Sequence, residues 1–181
     1  LPLPPRAPGL LSRLRRAHVA ITRAAAFGSE HESLAEALHA RAGWRSDRSR
    51  ATLGWRFASR PGVAYRIHEA LDPRGRAVGF GVLRVVMDRA LVVDLQVLDE
   101  GSGVLPDLLS ALALDAASEG AASLVVRCPR EGWLARRLAG ELGFEPEEAD
   151  AHFEVRLLHP GFDLEREAPL FDYRFADHDV F

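Results

Sequence analysis

Changes in the period of apolar and polar positions divide the chain into elements. From Ser29 to Arg41, Leu34 and Leu38 recur at i, i+4, which predicts a helix. Ser29 is its expected N-cap, Glu32 the capping-box partner three residues on, and Gly43 the stop. Ser46 or Asp47 is the expected cap of a second helix that carries Leu53, Trp55 and Phe57, with Trp55 in the core, and Pro61-Gly62 ends it. Val63 to Leu71 then alternates as a strand does. Asp72-Pro73-Arg74-Gly75-Arg76 is a turn, because Pro73 presets φ and Gly75 allows a positive φ. Ala77 to Met87 reads as the return strand. An Asp88-Arg89 turn leads into Ala90 to Leu98, a third strand apolar enough to be buried on both faces.

A helix is predicted over Val104 to Glu119, with Leu105, Leu108, Leu109, Leu112 and Leu114 in its apolar stripe and Gly120 at its end. Ala122 to Cys128 is a short strand whose place after a helix implies a parallel crossover. Glu131 to Leu142 is a last helix, and His152 to Leu158 a last strand. Leu10 to Phe27 fits a short helix or a strand of an absent domain. Thus 1–27 is expected to be a lead-in or linker, 28–160 one α/β domain, and 161–181 an acidic tail.

Composition narrows the classes. The chain has 181 residues, enough for one sizeable core. No apolar run reaches the roughly 20 residues that span a bilayer. The single cysteine, Cys128, allows no intrachain disulfide, which fits a reducing, cytoplasmic setting. All 23 basic residues are arginine, so lysine Schiff-base chemistry is excluded within this chain. Residues 1–66 hold 12 Arg against four acids, and residues 141–181 hold 12 acids against three Arg. The arginines do not interleave with aromatics, so a nucleic-acid partner is not expected. No metal site is expected, because the histidines lack ligand spacing and Asp177, His178 and Asp179 are adjacent in an extended tail.

The third strand runs into Gly101-Ser102-Gly103 and then the helix from Val104. Such a strand–loop–helix can hold an anion on unpaired backbone N–H groups; the bland reading is a plain turn. Asp94, on the otherwise apolar strand, could be a general base or a strand-end acid bonded to a neighbouring backbone or Arg. His68 and Glu69 are alternative bases, of which only one can face a given side. Cys128 reads first as a small core residue and second as a thiol near the reaction.

The element order resembles the GNAT superfamily of acyl-CoA-dependent N-acyltransferases: a mixed, twisted sheet flanked by helices. Asp94-Leu95-Gln96-Val97 looks like the end of that family's central strand, and Leu142-Gly143-Phe144 like the motif after its last helix. Arg48, Leu53, Trp55-Arg56-Phe57, Pro61 and Tyr65 are similar to a signature of bacterial two-domain GNAT-like proteins linked to polysaccharide and cell-envelope biosynthesis. Phe171 and Ala176-Asp177-His178-Asp179 are similar to the close of those chains, in which a first GNAT-like half precedes this one.

The resemblance implies transfer of an acetyl group from acetyl-CoA to an amine, such as an amino sugar or nucleotide sugar. It puts acetyl-CoA against Leu95, Gln96 and Val97 and against Gly101, Ser102, Gly103 and Val104. Asp94 would be the base, Tyr173 the proton donor if the tail folds back, and Arg56, Tyr65 and His68 would line the acceptor site. Glu100 and Leu105 stand where the family's loop carries Arg or Gln and a small residue. They leave an alternative open: a non-catalytic GNAT-fold module that completes or regulates a catalytic partner domain.

Overall fold

The structure, a computed structural model, describes residues 19–41, 44–45, 47–130, 132–147 and 171–172. The elements in chain order are β1 (Ala20–Ala24), α1 (Glu30–His39), β2 (Trp44–Arg45), α2 (Arg50–Leu53) continued by a π-helical turn (Gly54–Ala58), β3 (Arg66–Leu71), β4 (Ala77–Val86), β5 (Arg89–Val97), α3 (Val104–Ser118), β6 (Ser123–Val126), α4 (Trp133–Glu141) and β7 (Phe171–Asp172). Five strands form one sheet in the order β1-β3-β4-β5-β6. All neighbours are antiparallel except β5 and β6. β2 and β7 form a separate parallel pair. The expected strand at 152–158 lies outside the described residues.

Two apolar layers cover the sheet. α3 and α4 bury Leu105, Leu108, Leu112, Leu134 and Leu138 against one face, with Val92, Leu95 and Val97 of β5. α1 and α2 bury Leu34, Leu38, Leu53 and Phe57 against the other, with Phe80, Val82 and Val93. α3 sits close to β4 because that strand has no side chain beneath it at two positions. A Cβ on Gly81 would come within 2.7 Å of Leu112 Cδ1, and one on Gly79 within 3.0 Å of the Gln96 carbonyl oxygen.

Several local expectations need correction. Ala20–Ala24 is an edge strand of this sheet, paired to β3, not a helix or part of another domain. Ser29 has helical φ/ψ and makes no side-chain cap. Ser49, not Ser46 or Asp47, caps α2, its Oγ accepting from Thr52 N at 3.3 Å. Asp47 instead accepts from Ser49 N at 2.8 Å. Trp55 is 72% exposed and Leu114 73%. Each lies two positions from a buried residue, Leu53 or Leu112, and about 200° round a helix from it.

Both hairpins of β3–β4–β5 form. Gly75 has φ 75° and its N–H donates to Asp72 O at 2.8 Å. The Asp72 carboxylate accepts from Arg74 N and Arg76 N, each at 2.9 Å. Led by the Arg76 N–H, these bonds hold its pKa below the usual carboxylate range. The lowered pKa means that this contribution is present above about pH 4 and lost as pH falls through the lower folded value. Asp72→Asn should therefore flatten the acid limb of stability in pH-dependent urea titrations. The second turn is Met87-Asp88, one residue earlier than expected, with Met87 exposed at φ 54°. Met87→Gly should relieve this left-handed conformation and stabilise the fold by about 1 kcal/mol, readable as a rise in Tm.

Candidate functional site

β5 changes character halfway along. Its parallel ladder with β6 runs from Arg89↔Ser123 to Val92↔Val126 and stops, while β5 continues to Val97 with β4 as its one partner among the described residues. Leu98 N–H donates to Val78 O at 2.8 Å, so strand alternation turns the N–H and C=O of Val97 toward the edge that β6 has left. At the same point β5 carries a bulge. Val82 pairs with Asp94 and Leu83 with Val92, which leaves Val93 as an extra residue. Val93 and Asp94 therefore both face α1 and α2, and Gln96 follows on that face.

Asp94 is 1% exposed and accepts from Arg48 Nε at 3.0 and 3.2 Å and from Leu95 N at 2.9 Å. Arg48, in the loop before α2, is buried too. Its carbonyl lies 3.2 Å from His31 Nε2 on α1. A carbonyl only accepts, so Nε2 carries the proton there. His31 Nδ1 stands 3.7 Å from Glu69 Oε1 on β3. The run Glu69, His31, Arg48, Asp94 is a buried polar path from β3 to β5, with Phe27 and Phe80 edge-on to the His31 ring. Sequence reading named Glu69, and Asp94 as a base or as an acid bonded to backbone or an Arg; it named Arg48 only within the signature motif, and not His31.

A cleft of about 260 Å³ opens beside this path, lined by Ala35, Glu36, Leu38 and His39 of α1, by Asp47, Arg48 and Ser49, and by Gln96. Gln96 is 3% exposed, and its Nε2 has no hydrogen-bond partner among the described residues. Asp47 is held below the usual carboxylate range, first by the Thr52 hydroxyl and then by Ser49 N–H, so it is ionised at neutral pH.

The glycine loop is already partly engaged. Gly101 N donates to Asp99 Oδ1 at 2.9 Å, Ser102 N to Asp99 O at 3.2 Å, and Val104 N to Ser102 Oγ at 3.4 Å. Two arginines missed by sequence reading converge on it. Arg41, just past α1, donates to Val97 O at 3.4 Å and stands 3.6 Å from Glu100 Oε1. Arg137 of α4 donates to the carbonyls of Glu100 and Ser102. The nearest sequence signal was their position one turn from a helix end or on its polar face, which many arginines share.

The other expected site residues lie elsewhere. His68 is on the α3 face, its Nε2 2.9 Å from Asp115 Oδ2. Tyr65 packs edge-on to Phe57, with ring centroids 5.1 Å apart, and Arg56 is half-buried on the π-helical turn. None of the three lines the cleft. Cys128 is half-buried against the α3-face core. Tyr173 lies outside the described residues. Among those residues no three His, Cys, Asp or Glu side chains come together as metal ligands.

Removing one partner of the buried pair leaves an uncompensated charge. Arg48→Met should cost about 3–5 kcal/mol, and adding Asp94→Leu should restore much of it, as chemical denaturation of the single and double variants would show.

No protein-family model and no curated protein matches this chain. Solved structures do. An aminoglycoside N-acetyltransferase AAC(6')-Iy in complex with CoA is 16% identical over 76% of this chain and 100% of its own, with a TM-score of 0.53. The ribosomal-protein-S18-alanine N-acetyltransferase from Escherichia coli is 19% identical over 71% and 80%, with a TM-score of 0.51. A GNAT family acetyltransferase from Streptococcus pneumoniae is 20% identical over 77% and 99%, with a TM-score of 0.50. The mixed five-stranded sheet with flanking helices has the GNAT acetyltransferase fold.

Proposed function

We propose that this chain is an N-acyltransferase that moves an acetyl group from acetyl-CoA to an amine. The observation that carries the reading is the parting of β5 from β6 beyond Val92 and Val126. It leaves a strand edge that ends in a glycine loop and the start of α3. An open edge presents main-chain groups to an extended ligand with amides of its own. The pantetheine arm fits that requirement, along Leu95, Gln96 and Val97. The pyrophosphate would meet Gly101, Ser102, Gly103 and Val104. Asp99 and Ser102 already occupy part of that loop, so Arg41 and Arg137, now paired with Glu100 and Glu141, would supply cationic hydrogen bonds that the backbone alone does not.

Acetyl-CoA supplies an acyl thioester that an amine can attack directly. Val97 N–H faces the open edge and would hold the thioester oxygen as negative charge develops there. The cleft on the Gln96 side would seat the amine, and close placement of the two reactants provides much of the rate. Proton removal falls to the carboxylates and water of the cleft. Asp94 is given a positioning role, because a carboxylate held by Arg48 is a poor proton acceptor. Tyr173 is proposed as donor to the departing thiolate. The acceptor is an amino sugar or nucleotide sugar if the likeness to polysaccharide-linked two-domain chains extends to function. A preceding GNAT-like half belongs to the same proposal.

One observation favours a second reading. The internal bonds of Asp99 and Ser102 satisfy N–H groups that an anion would need, as expected of a non-catalytic module serving a catalytic partner. Calorimetric titration with acetyl-CoA separates the two. Saturable binding, weakened about tenfold by Arg41→Ala and by Arg137→Ala, is expected from the loss of a charge-assisted contact. Absence of binding at millimolar acetyl-CoA would sink the transferase reading for this chain.

A further inference from the structure

We infer that the cleft beside Gln96 selects an amine that also carries a neutral hydrogen-bond-accepting oxygen, and disfavours an anionic acceptor. The inference rests on the amine-acceptor reading above and names the chemistry of that acceptor.

Gln96 sets the first requirement. Its Nε2 is a donor, buried without a partner among the described residues, on a side chain that lines the cleft. Such a group loses its hydration without recompense, and a ligand oxygen that accepts from it removes the penalty. The acceptor oxygens of the described wall, on Glu36, Asp47 and Ser49, make no hydrogen bond to Gln96 Nε2. A hydroxyl oxygen near the amine meets the need.

Charge sets the second. Glu36 and Asp47 both line the cleft, and the hydrogen bonds of Asp47 keep it ionised. The one arginine of the described lining, Arg48, turns its Nε onto the Asp94 carboxylate, which offsets its charge. His39 is the remaining titratable lining group, and it lies near enough to Asp47 to favour that carboxylate's charged form. The described wall is therefore net acidic. It attracts an ammonium group and repels a phosphate or a nucleotide diphosphate.

Size sets the third. A volume of about 260 Å³ suits a ligand of monosaccharide scale. A small amino sugar or amino alcohol satisfies all three requirements, and a nucleotide-linked amino sugar does not.

The test is equilibrium binding without acetyl-CoA, by calorimetry with three probes: glucosamine, cyclohexylamine and glucosamine 6-phosphate. Glucosamine should bind most tightly. Cyclohexylamine lacks an accepting oxygen and should be weaker by about fivefold to tenfold. Glucosamine 6-phosphate should be weaker by about tenfold at low salt. Gln96→Leu should abolish the advantage of glucosamine over cyclohexylamine. Gln96→Met serves the same purpose if that variant does not fold. Glu36→Gln, which leaves the α2 cap intact, should narrow the gap between glucosamine and its phosphate.

The inference is overturned if glucosamine shows no saturable binding at tens of millimolar, if the phosphate binds as well as or better than the free sugar, or if the variants leave the ratios unchanged. The separate acetyl-CoA titration reads the transferase proposal, so amine selectivity without acetyl-CoA binding would distinguish failure of that proposal from failure of this one.

Discussion

The extra residue at Val93 turns two successive side chains of β5 toward the same face. Strict alternation would send Asp94 to the other face, among Leu105, Leu108 and Leu112 of α3, in an apolar layer. The bulge delivers it to Arg48 instead. That pair ties the loop before α2 to β5, and His31 ties the same loop to α1. Gln96 reaches the cleft for the same reason, since its direction is set by the residue count after the bulge. The geometry of the α1 face thus follows from one local irregularity in a ladder that is otherwise regular.

The period of the sequence carries most of the architecture. Leucines at helical spacing, the Asp72–Arg76 turn and the run from Ala90 to Leu98 identify the main elements, because each pattern has one buried solution. The misses have a common form. Trp55 and Leu114 are large and apolar, but each sits on the far side of a helix whose buried face is set by other residues. β1 lacks a strong pattern of its own because an edge strand buries little; its place is fixed by pairing with β3, a contact across more than 40 residues of chain. At the site, β5, the loop and α3 are legible because they are contiguous. The partners of that stretch are not. Arg41, Arg48 and Arg137 reach it from other elements, and no local pattern marks an arginine that will do so. The unpartnered amide of Gln96 is likewise a property of what surrounds it.

Gly79 and Gly81 are the exception, since two glycines in alternate positions of a strand are a readable mark of close backbone approach. They bring α3 down onto β4, so the start of α3 and the end of β5 are held by a single packed contact. Val104 and Leu108 rest over Gly79, and the neighbouring backbone is the Gln96 carbonyl. The loop between them is consequently short and its ends are fixed. The separation of the glycine turn from the cleft is set by packing on the α3 face, although the cleft itself opens on the α1 face.

The ladder between β5 and β6 has a consequence for how the molecule comes apart. Among the described residues four pairs join β6 to the rest of the sheet, and they are its one parallel pairing. The β3–β4–β5 meander closes through two tight turns, whereas β6 is reached only after the whole of α3 has been laid down. Local contacts form quickly, and long crossovers late. β6 with α4 is therefore the natural unit of partial opening, a segment whose amide protons exchange with solvent while the meander stays closed. The edge proposed to receive pantetheine lies where that unit meets the meander, so a ligand lodged there would bind across the seam and slow its opening.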